Sequence, residues 1–136
     1  MKKIMLIIEK DSAEELWGRV DYDDNLITNN ASTLELLQKK TKDVLHKFHE
    51  LDPTGIEFDL VYDLTAVFGE KKYLNLSEVA QILGINRSLM AQYAAGKKFP
   101  SLERAKEIEK AIHALGRDLL KVKIAVKGKS LKREVK

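Results

Sequence analysis

The residues whose types and spacing point to a definite chemistry lie between positions 77 and 98. Arg87, Ser88, Ala91 and Gln92 fall on the outward side of a short helical stretch. On a helix entering the major groove of duplex DNA by its leading end, an arginine reads guanine through two hydrogen bonds and a glutamine reads adenine. Lys97 and Lys98 follow directly, where they are placed to grip phosphates, with Ser77 and Arg104 as further backbone contacts. Other constellations fail on their spacing. Asp21-x-Asp23-x-Asn25 opens like a calcium loop, but its sixth position is Leu26 in place of glycine and its twelfth is Ser32 in place of an acid. His46 and His49 stand one helical turn apart, yet no nearby carboxylate or third histidine completes a metal set, so they read as a solvated helix edge. There is no glycine-rich phosphate loop and no Gly-x-Ser-x-Gly elbow, so no cofactor is expected.

The elements that must position these side chains are legible from periodicity. Two short helices that cross at a wide angle need a small residue at the crossing, and Ala80 supplies it. The turn after the first helix wants positive φ, and Gly84 provides it four residues later. Asn86 is placed to cap the second helix, with Leu89, Met90 and Tyr93 turned toward Val79, Leu83 and Ile85. Gly96-Lys97-Lys98-Phe99-Pro100-Ser101 follows, then another helix over about Leu102–Leu115. This is a helix-turn-helix pattern; the plainer reading is a generic helical hairpin.

Ahead of it lies a small sheet with one helix. Ile4-Met5-Leu6-Ile7-Ile8 is a continuous apolar run, expected of a central strand buried on both faces. Leu16–Tyr22 alternates, with Leu16, Gly18, Val20 and Tyr22 one way and Trp17, Arg19 and Asp21 the other. Asp23-Asp24-Asn25 supplies turn chemistry, and Leu26-Ile27-Thr28 a short return strand. Ser32 and Glu35 have the spacing of a capping box. Leu34, Leu37, Thr41, Val44, Leu45, Phe48 and Leu51 then form one apolar stripe, which Asp52-Pro53-Thr54-Gly55 ends. Ile56–Asp63 alternates again, with Ile56, Phe58, Leu60 and Tyr62 inward and Glu57, Asp59 and Asp63 outward. The order is β-β-β-α-β, an α+β layer pair. Ala66–Tyr73 reads as the connection. The expected domains are 1–68, an α+β partner domain, and 74–120, an all-α helix-turn-helix domain. Residues 121–136 follow as a strand-like piece over Lys121–Val126 and a basic tail.

Charge divides these parts. The 136 residues carry a net charge of +3, with 24 Lys+Arg against 21 Asp+Glu. Residues 1–70 hold 8 of the cations and 15 of the anions, while the rest hold 16 and 6. The second half therefore suits an anionic partner, nucleic acid first, and the first half something basic or simply water. Zero cysteines exclude disulfides, thiolate zinc and cysteine nucleophiles. No apolar run approaches a membrane span, and the opening run is too short for a signal peptide, so a cytoplasmic location without membrane attachment is expected.

Residues 76–115 resemble the Cro/repressor class of helix-turn-helix, with Gly96-Lys97-Lys98-Phe99-Pro100-Ser101 matching its Gly-Lys-x-x-Pro-Ser signature. Taken with "IMLIIEK" and "LWGRVDYDDNLITNNASTLELLQKKTKDVL" before it, the chain resembles HicB-type antitoxins. It departs from them by lacking a Leu-Pro-Gly turn and a glycine before the first helix. That resemblance implies a degenerate ribonuclease-H-like first domain and a DNA-binding second domain. It also implies a repressor of its own operon that neutralises a small basic ribonuclease toxin of the HicA kind. Asp21, Asp23, Asp24, Glu57, Asp59 and Asp63 would face that toxin. Paired half-sites on a double-stranded operator imply a homodimer or higher oligomer. The alternative is a stand-alone transcription regulator whose first domain senses a ligand or assembles oligomers. Nuclease chemistry needs several carboxylates converging on two metal ions, and the first strand offers only Glu9, so no enzyme is expected.

Overall fold

The computed structural model describes residues 1–127. The chain divides into two compact units, Met1–Pro100 and a second that begins at Ser101. The first is α+β, built on a four-stranded mixed sheet in the order β3-β2-β1-β4. Its strands are β1 (Lys2–Lys10), β2 (Leu16–Tyr22), β3 (Asn25–Ala31) and β4 (Ile56–Tyr62). β2 pairs antiparallel with both β1 and β3, and β4 pairs parallel with β1. The return strand β3 runs further than the expected Leu26–Thr28. It follows a two-residue turn in which Asp23 and Asp24 have φ of 52° and 59°. Both values are positive, as the tightest right-twisted hairpin turn requires, and aspartate tolerates them better than most side chains.

Helix α1 (Leu34–His49) crosses from β3 to β4 and covers one face of the sheet. Leu37, Thr41 and Leu45 on its stripe are buried with Ile4, Leu6, Ile8, Leu16, Val20, Ile27 and Ile56 from the strands. Its cap differs from the expected one: the Thr33 hydroxyl, not that of Ser32, accepts from the Leu36 N–H at 3.1 Å. The helix ends at His49, because Glu50 turns left-handed and the Leu51 N–H closes onto the Leu45 carbonyl. Phe48, expected on the buried stripe, is exposed.

The expectation that β1 is buried on both faces is corrected. Its burial alternates, with Ile4, Leu6 and Ile8 beneath α1 and Met5 54% exposed on the opposite face. The segment expected as a plain connection contains a further helix, α2 (Leu64–Glu70). Asp63 starts it, accepting from the Thr65 and Ala66 N–H groups and from the Thr65 hydroxyl. α2 packs on β1, where the Lys10 ammonium meets the Glu70 carboxylate at 2.7 Å and the Lys10 N–H donates to the Thr65 hydroxyl.

Two eight-residue helices follow, α3 (Leu76–Leu83) and α4 (Arg87–Ala94). The second unit holds α5 (Leu102–Leu119), longer than expected, capped by the Ser101 hydroxyl and with Ile108 and Ala111 buried. A strand over Lys121–Val126 is not among the described elements. The rest of the basic tail, 128–136, lies outside the described residues.

Candidate nucleic-acid interface

The α3–α4 pair is set by three local features. Asn75 begins α3 by accepting from the Ser77 and Glu78 N–H groups at 2.9 and 3.3 Å. Gly84 ends it with φ of 70°, and its left-handed turn lets the Ile85 N–H reach back to the Ala80 carbonyl. Asn86 then caps α4, its side-chain oxygen accepting from the Leu89 N–H at 2.7 Å. These termini agree with the sequence reading of Gly84 and Asn86, and Asn75 adds a cap that reading had not assigned. Val79, Ala80, Met90 and Tyr93 are buried, while Leu83, Ile85 and Leu89 are half-buried. α4 also packs against α2, where Gly96 has φ of 75° and its backbone lies so near Thr65 that a Cβ would stand 3.1 Å from that methyl.

Among the side chains expected to touch nucleic acid, Ser77, Arg87, Ser88, Lys97 and Lys98 are exposed, whereas Ala91 and Gln92 are half-buried. Two of them are joined. The Arg87 Nε–H donates to the Ser77 Oγ at 2.8 Å, tying the first residue of α4 to the first turn of α3. Among the described residues Arg87 has no ion pair. Lys97 and Lys98 are held through their backbone: both N–H groups donate to the Gln92 carbonyl, at 2.9 and 3.3 Å. The main chain is thereby pinned while both ammonium groups face water. The arrangement presents an arginine and two lysines to a large anion.

The six acidic residues expected to face a partner fall in three places. Asp23 and Asp24 form the β2–β3 turn, and Asp63 is half-buried as the cap of α2. Asp21, Glu57 and Asp59 lie exposed on the sheet face opposite α1, interleaved with Met5, Trp17, Leu26 and Val61. His46 and His49 also have local roles, His46 Nδ1 lying 3.1 Å from the Leu51 carbonyl and His49 meeting the Tyr22 ring edge-on. Among the described residues, no group of three or more acidic, histidine or cysteine side chains is arranged to hold a metal ion.

One feature of this region escaped the sequence reading. Phe99 is 80% exposed directly after Lys97 and Lys98. The signal was present: the same Lys-Lys-aromatic order occurs at Lys71-Lys72-Tyr73.

No family model matches the chain, and no solved structure matches it either. Two curated proteins do, the large ribosomal subunit proteins uL13 of Lacticaseibacillus casei and Lacticaseibacillus paracasei. This finding corrects the resemblance to HicB antitoxins. The operon repressor, the operator DNA and the HicA-like toxin fall with it, and the stand-alone transcription regulator gains no support. The expectation that the chain is not an enzyme stands. With 31% identity to each relative over 106 residues, covering 75% of this chain and 72% of each of them, the chain belongs to the uL13 family of large ribosomal subunit proteins.

Proposed function

We propose that this chain binds RNA of the large ribosomal subunit through the exposed cations of the α3–α4 pair and the loop after it. The carrying observation is the Ser77–Arg87 bond at 2.8 Å, which holds the guanidinium at the exposed start of α4. A positioned, bidentate cation suits phosphate oxygens, and Lys97 and Lys98 add charge to the same unit. The excess of cations after residue 70 supports the same reading, because phosphate neutralisation dominates affinity for nucleic acid. The relatives' name supplies the source of the RNA.

In this reading α3 and α4 form a helix-turn-helix pair used for presenting side chains, and the exposed Ser88 with the half-buried Ala91 and Gln92 completes its surface. The acidic layer over 1–68, of ribonuclease-H-like outline, faces away from the RNA. A cytoplasmic location belongs to the same proposal. No helix among the described residues is long and apolar enough to cross a membrane.

The test is binding of the full chain to purified large-subunit RNA across a salt series. Arg87→Ala combined with Lys97→Ala and Lys98→Ala should weaken binding and lower the slope of log affinity against log salt by about 2. An unchanged affinity and slope would remove this face from the interface.

A further inference from the structure

The exposed ring of Phe99 has no structural account within the fold. A phenylalanine in a loop loses favourable burial when it is 80% exposed, and here both flanks hold it outward. On one side, the Lys97 and Lys98 N–H groups close onto the Gln92 carbonyl and fix the backbone. On the other, Pro100 restricts Phe99 to extended conformations. The ring therefore stands out beside two lysines whose main chain is immobilised by α4. The second triplet is built differently: Lys71 directs its ammonium over the Tyr62 ring at 5.8 Å, and Lys72 lies 3.9 Å from Glu14.

We infer that Phe99 is a stacking platform for an unpaired nucleobase, with Lys97 and Lys98 holding the phosphates on either side of it. Resting on the RNA reading above, this inference names the class of RNA: one with a loop, bulge or end whose bases are free to leave the stack. Inside a continuous duplex a base presents no open face, so the ring finds nothing to cover. Each base offers a π-face, so the platform selects for an unstacked base rather than for a sequence.

The experiment compares two labelled RNAs of equal length, a hairpin with an unpaired loop and a fully paired duplex, by fluorescence anisotropy on the full chain. The parent should prefer the looped RNA. Phe99→Leu keeps an apolar side chain without the flat ring. It should bind the looped RNA about 5- to 100-fold more weakly and the duplex unchanged. Phe99→Tyr should restore the parent's preference. Because the ring is exposed, neither change disturbs the fold. Parent-like binding of the looped RNA by Phe99→Leu, or an equal loss on both RNAs, overturns the platform while RNA binding stands. A parent that binds neither RNA is a separate result and overturns the RNA reading itself.

Discussion

Arg87 and Ser77, ten positions apart, are joined by a 2.8 Å hydrogen bond from the guanidinium Nε–H to the serine oxygen. The bond spans the turn between α3 and α4, so it reports on their mutual geometry. Ser77→Ala should leave stability within about 0.5 kcal/mol, since the pair is exposed, and weaken RNA binding less than Arg87→Ala does. Arg87→Lys keeps the charge but has no Nε to hold, and should bind more weakly than the parent. Equal binding by Arg87→Lys and the parent would show that only charge matters at this position.

Gly84 ends α3 with φ of 70°, and an added Cβ would meet nothing within 4 Å. The cost of Gly84→Ala is therefore conformational alone, about 1 kcal/mol. Gly84→Asn should cost less, because asparagine tolerates the left-handed region. Denaturant midpoints measured on the three proteins give the order directly.

Gly18 sits where α1 rests on the sheet. A Cβ there would lie 3.0 Å from Leu6 Cδ1 and 3.1 Å from Leu37 Cδ2. Gly18→Ala should destabilise the chain by about 1–3 kcal/mol, as overpacking of a closed core does. Shortening the opposing residue, in Gly18→Ala with Leu37→Val, should recover part of that loss. Additive losses in the double variant would show that the two side chains do not press on each other.

Trp17 is the single tryptophan, and its indole N–H donates to the Asp11 carboxylate at 2.8 Å. That bond, helped by the Glu15 N–H, holds the Asp11 pKa below the ordinary aspartate range. A depressed pKa means the bond's contribution is present above the ordinary aspartate value and is lost as pH falls through the lowered one. Trp17 fluorescence should therefore stay constant from neutral pH down to about 3.9 and change only below it. Asp11→Ala should abolish that acid-side change.

Much of the fold was legible because its elements carry their own boundary chemistry. Alternation separated the two faces of β2 and put Ile56, Phe58, Leu60 and Tyr62 of β4 inward, and Gly84 with Asn86 marked the α3–α4 turn. Helix α2 was not legible: it spans two turns, and its capping residue, Asp63, continues the alternation of β4 so that it reads as one more outward strand position. The open face of β1 was hidden for a different reason. A run of five apolar residues looks the same whether one face or both are covered. Helical spacing and charge singled out Arg87, Lys97 and Lys98 as candidates, but the Ser77 bond joins two elements and leaves no mark in either alone. The family was the least legible part. A pair of short helices presents side chains in the same way to different partners.

Association with the large subunit is read by sedimentation of the tagged chain with ribosomes dissociated into subunits. The chain should travel with the large subunit at moderate salt and leave it when Arg87, Lys97 and Lys98 are all changed to alanine. A parent chain that stays at the top of the gradient, or a triple variant that sediments as the parent does, would rule out RNA binding through these cations.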